Sequence, residues 1–86
     1  MDYYLILARS VTYAQRMQYA LERAGVRCQI FRAPRELTSL GCAYTVRIAE
    51  TALGTALTVL HRESLDPVQI FLSQRGVLRE VRHDLL

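Results

Sequence analysis

Residues 26–48 contain two runs of alternating apolar and polar residues with no helical period between them. Val26, Cys28 and Ile30 interleave with Arg27 and Gln29, and Tyr44, Val46 and Ile48 interleave with Thr45 and Arg47. Period-two alternation marks half-buried strands, and two strands joined without a helix can pair antiparallel. Phe31 and Arg32 carry the first run to Pro34, which cannot sit inside a central strand. Residues 33–42 therefore form a ten-residue connection, long for a compact domain.

The flanking segments supply the remaining elements. Tyr3–Ala8 is a continuous apolar run too short for a helix, which predicts a buried strand. Ser10 is a candidate N-cap, and Thr12 with Gln15 offers capping-box spacing two residues later. Ala14, Met17, Leu21 and Ala24 trace one helical face, and Gly25 suits the left-handed position after a helix. Residues 50–62 predict a second helix with Leu53, Ala56, Leu57 and Leu60 inward. Gly54 weakens that helix by roughly 1 kcal/mol relative to Ala, and close helix–sheet packing is the expected compensation. After Asp66-Pro67, Val68, Ile70 and Leu72 predict a fourth strand. Ser73–Gly76 reads as a turn, Val77–Val81 as a fifth strand, and residues 83–86 as a frayed tail.

The order β-α-β-β-α-β plus a hairpin extension predicts an α+β, ferredoxin-like split βαβ domain over residues 1–82, with both helices on one face of an antiparallel sheet. The crossovers are read as flanked by strands 1 and 3 and by strands 2 and 4. Tyr3, Phe31 and Phe71 have the parity to point to the other face. An aromatic-bearing open face on a small domain predicts a homodimer through that face or through an edge strand.

Composition narrows the function classes. The chain has 86 residues, 51% hydrophobic and 22% charged, which fits one globular domain and excludes a disordered tail. All eleven basic residues are Arg, and the net charge is +3. The Arg are scattered and interrupted by acids, as on a solvated mixed-charge surface. That pattern argues against a nucleic-acid binder, which shows a dense basic stripe with aromatics. No apolar stretch reaches the roughly 20 residues of a membrane span. With Asp2 and Arg9 bracketing the first apolar run, no leader is expected either. The expected location is the cytoplasm, with thiols reduced.

Two cysteines and two scattered histidines make a poor zinc set. His61, near the end of the second helix, suits a capping role. No glycine-rich phosphate loop or paired-carboxylate motif occurs, and Tyr13, Tyr19 and Tyr44 read as packing residues. Cys28 shares parity with Val26 and Ile30 and is expected in the core, where a free Cys acts as a small hydrophobe. Cys42 ends the long connection directly after Gly41, and two readings stand for it. As a loop thiol it could be held as thiolate by backbone N–H groups that Gly41 allows to converge, with Arg35 in the same loop and Arg32 and Arg47 flanking it. As the first inward residue of the third strand it would be structural.

Three features give the chain a family resemblance: the strand from Tyr4 into a helix ending Ala24-Gly25-Val26; Ala33-Pro34-Arg35-Glu36-Leu37; and Gly41-Cys42-Ala43-Tyr44 leading into Val46-Arg47-Ile48. Over roughly residues 3–72 it resembles the selenium/sulfur (Se/S) carrier protein-like family of small bacterial and archaeal chains. Many members have Gly after the cysteine, whereas here Gly41 precedes it and Ala43 follows. The resemblance implies a carrier whose Cys42 holds sulfur or selenium as a persulfide or selenosulfide. Arg35 would stabilise the thiolate or bound anion, and Gly41 would let the backbone approach. Donor and acceptor proteins are the implied partners, and no cofactor is implied beyond the cargo. A regulatory or interaction module of the same fold, without thiol chemistry, is the alternative.

Overall fold

The computed structural model describes residues 2–33 and 44–81. Its elements are β1 (Tyr3–Ala8), α1 (Val11–Arg23), β2 (Cys28–Arg32), β3 (Tyr44–Ala49), α2 (Leu53–Arg62), β4 (Gln69–Gln74) and β5 (Val77–Val81). The five strands form one antiparallel sheet in the order β2-β3-β1-β4-β5. This is the split βαβ arrangement of ferredoxin-like folds, extended by β5. One expectation needs correction: the helical crossovers join β1 to β2 and β3 to β4, not strands 1 and 3 or 2 and 4. Each joined pair is separated in the sheet by one antiparallel strand.

β1 lies at the centre, which explains its unbroken apolar run. Ile6 and Ala8 face the helices, Leu7 faces the opposite side, and all three are fully buried. Both helices cover one face: Ala14, Met17 and Leu21 of α1 and Leu53, Ala56, Val59 and Leu60 of α2 pack on Ile6, Val46, Ile48 and Ile70. Val59 takes the inward place expected for Leu57, which is only half-buried. Tyr19 departs from its expected packing role. It is 65% exposed, with Arg23 over its ring at 5.6 Å.

Local chemistry sets the helix ends. The Ser10 hydroxyl accepts from the Tyr13 N–H at 3.2 Å, so α1 starts at the earlier of the two possible caps. Its end is a Schellman motif: Val26 N–H donates to Leu21 O at 2.9 Å and Gly25 N–H to Glu22 O at 3.0 Å, with Gly25 at φ +83°. α2 ends the same way, with Leu65 N–H on Leu60 O at 2.8 Å and Ser64 in the left-handed position. A single 3₁₀ turn, Glu50–Ala52, leads into α2. The β4–β5 hairpin closes through Arg75 and Gly76, both at positive φ, as type I′ turns require.

Gly54 does not have the packing role expected of it. It is exposed, and a Cβ built on it meets nothing within 4 Å. Its conformational cost is therefore uncompensated. Gly54→Ala is expected to raise the unfolding free energy by about 1 kcal/mol, read as a higher urea midpoint at unchanged slope.

Candidate functional site

The residues singled out for chemistry, Arg35, Gly41 and Cys42, lie outside the described residues. The structure does fix the two ends of the connection that carries them. Arg32 pairs with Tyr44, and Tyr44 pairs with Ala8. The connection therefore leaves and re-enters the sheet at the end where β1 gives way to α1. The Val68 N–H donates to Leu7 O at 2.9 Å, so the chain leaving α2 returns to the same end.

Cys28 occupies the core position expected from parity. It is 8% exposed, and its Sγ–H points to the Gln18 carbonyl at 3.8 Å. Burial, reinforced by the Glu22 carboxylate, pushes its thiol up from 9.0 to about 11. This thiol is almost wholly protonated at neutral pH and is a poor nucleophile. The raised pKa also couples to folding. The unfolded chain loses this proton first, so the contribution is full below pH 9 and is lost as pH climbs toward 11. Stability is expected to fall by about 2–3 kcal/mol across that window. Chemical denaturation of wild type against Cys28→Ala at each pH isolates the part of the loss that belongs to the thiol.

The sheet face away from the helices carries Tyr3, Phe31 and Phe71, as parity predicted. Its centre is well covered: Leu7 is fully buried beneath Ala33, Phe71 and Leu78, and Thr45 is 1% exposed. Arg47, read from the sequence only as a cation flanking the Cys42 loop, packs on this face. Its guanidinium lies 4.4 Å from the Tyr3 ring centroid and 4.5 Å from that of Phe31, and it donates to Gln29 Oε1. This cation–π sandwich ties β1, β2 and β3 together across the open face. Only the pairing of Arg47 with both Leu5 and Gln29 brings the three side chains together, and a linear reading does not contain that register.

His61 lies in the last turn of α2, with Nδ1 3.3 Å from Asp66 Oδ1 on an exposed surface. Among the described residues, no group of His, Cys, Asp and Glu is arranged to hold a metal ion. On the helix side, an open groove of about 580 Å³ runs along α1 to the end of α2 and is lined by Arg16, Arg23 and Arg62.

Residues 3–72 match the model of a family described as "Putative Se/S carrier protein-like". Neither the curated proteins nor the solved structures contain a match to the chain.

Proposed function

The chain belongs to this Se/S carrier-like family, and from that premise we propose that it is a small thiol carrier with Cys42 as the carrying group. In loading, the Cys42 thiolate attacks the outer sulfur of a donor persulfide, R–S–SH. A new S–S bond forms at Cys42, the donor S–S bond breaks, and its electron pair leaves with the R–S⁻ thiolate. Selenium would follow the same displacement at the outer atom of R–S–SeH. An acceptor thiolate then attacks the outer atom of the loaded group and regenerates the Cys42 thiolate, with no net oxidation. Arg35 stabilises the anionic forms, and Gly41 lets backbone N–H groups approach them.

The observation that carries this reading is the family match, whose span includes Cys42. The chemistry of the second thiol supports it. The chain has two cysteines, and Cys28 is withdrawn by burial and by a pKa pushed up to about 11. We assign the carrier to the cytoplasm, where thiols stay reduced. No helix among the described residues is long and apolar enough to cross a membrane.

The test is intact-protein mass spectrometry after incubation with glutathione persulfide. Wild type and Cys28→Ser gain one sulfur, and Cys42→Ser gains none. A gain that persists in Cys42→Ser and disappears in Cys28→Ser overturns the assignment. Wild type that loads from neither persulfide nor selenopersulfide donors leaves the interaction module without thiol chemistry.

The carrier is further proposed to be a homodimer, and sheet register favours the β2 edge over the β5 edge. Antiparallel self-pairing centred on β5 would set Arg79 against its own copy, a like-charge pair. Centred on β2 it sets Ile30 against Ile30, an apolar pair on one face. Light scattering at the monomer mass over the working concentration range would refute the dimer. Ile30→Lys should dissociate it, because the substitution places like charges opposite each other.

A further inference from the structure

We propose that the groove along α1 is a docking site for an acidic segment of the protein that exchanges cargo with this carrier. The proposal rests on the carrier reading only for the identity of that partner. Arg16 and Arg23 are seven residues apart on α1, nearly in line along one side, and Arg62 stands at the end of α2. Together they set three guanidiniums against the single carboxylate of Glu63 in the groove lining. Arg62 reaches Glu63 only at 3.8 Å, in a pair more than half exposed on both sides. Such a pair is weak and exchanges readily for another carboxylate. Arg16 has no ion pair among the described residues, and Arg23 is braced over the Tyr19 ring at 5.6 Å.

The spread of charge identifies the class of ligand. Seven residues of helix separate Arg16 and Arg23 by about 10.5 Å along the axis. One phosphate or carboxylate would engage both only if the two side chains converged on it. An extended peptide with acidic residues about three positions apart spans the separation, at about 3.3 Å per residue. Ala20, Ala24 and Leu65 add apolar surface to a lining that also holds Thr12, Gln15 and Tyr19, which suits the aliphatic and backbone groups of a peptide between its acids. Position supports the same reading. The strand directions make α1 and α2 antiparallel, so the start of α1 and the end of α2 share one end of the fold. Ala33 and Tyr44, which flank the Cys42 connection, lie at that end too. A partner seated in the groove is thereby brought toward the segment that carries the cargo.

Fluorescence anisotropy with a labelled peptide of repeated Glu-Glu-Leu triplets tests the proposal on the full chain. Binding should weaken as salt rises. Arg16→Gln and Arg23→Gln should each weaken it about threefold or more, and the pair together at least about tenfold. Arg79→Gln, on β5, should leave it unchanged. Thermal melts of these exposed-site variants establish that they remain folded. Peptide affinity unchanged in the double variant overturns the proposal. So does displacement of the peptide by inorganic phosphate at equal concentration, which would mark a small-anion site. Tighter binding of single-stranded RNA with the same arginine dependence also overturns it. Persulfide loading of Cys42 from glutathione persulfide does not require the groove and should be equal in wild type and the double variant. Loading without peptide binding therefore rejects the groove alone, and peptide binding without loading rejects the carrier alone.

Discussion

Cys42→Ser is expected to abolish chalcogen loading altogether. Serine preserves size, but its hydroxyl stays protonated at neutral pH and is a hard, weak nucleophile toward sulfane sulfur. Cys28→Ser should keep loading intact and act on stability. A hydroxyl placed among Met17, Ile48 and their neighbours costs about 1–3 kcal/mol unless it finds an acceptor, and the Gln18 carbonyl at 3.8 Å from Sγ is the nearest candidate. Arg35→Ala should shift the rate–pH profile of loading upward, because removing a nearby cation raises the thiolate's pKa. Loading rates measured by mass spectrometry from pH 6 to 10 separate the two effects. A lost nucleophile gives no rate at any pH, whereas a lost cation gives a displaced curve with the same plateau. An Arg35→Ala profile that coincides with wild type would remove Arg35 from the site.

Ile6→Ala should be the most damaging single truncation in the sheet. Ile6 is fully buried in the central strand and pairs with Val46 on one side and Ile70 on the other. Strands hydrogen-bonded on both sides leave little room for the cavity to collapse, which places the cost near the upper part of the Ile→Ala range, about 3–4 kcal/mol. A domain of this size has only about 5–10 kcal/mol in total, and its core is thin because roughly 60–65% of its unfolded surface is buried on folding. Urea unfolding should show a much lower midpoint at unchanged slope. A loss under about 1 kcal/mol would mean that the helices settle onto the sheet more freely than their packing indicates.

The parts legible in the sequence are those in which one residue's local chemistry decides the structure. Alternation located β2 and β3, the unbroken run Tyr3–Ala8 marked the central strand, and Ser10 and Gly25 bracketed α1. What escaped depends on neighbours distant in the chain. Gly54 looked like a packing device because glycine within a helix usually has a reason, yet only the fold reveals the empty space around it. Tyr19 fits the polar side of α1 as well as the apolar one, and its exposure follows from how α1 is rotated onto the sheet. Scattered arginines read as a mixed-charge surface. The groove appears only when α1 and the end of α2 lie side by side. Of the candidate site, the sequence carries the family membership, while Arg35, Gly41 and Cys42 fall within 34–43, outside the described residues.

The central place of β1 also has a temporal consequence. The first strand of this sheet to be synthesised pairs with β3 and β4, both of which come from the later part of the sequence. At about 5–20 residues per second, the interval from Ala8 to Gln74 lasts roughly 3–13 s. Throughout it this apolar strand has at least one bare edge: both until β3 arrives, and the β4 edge to the end of the interval. α1 follows β1 directly and can shelter one face of it during the wait. The other face and both edges depend on arrival of the C-terminal half, so truncated chains ending before β4 are the species most prone to aggregate. Because the sheet is built from long-range pairings, its folding should also be slower than that of a helical domain of equal length.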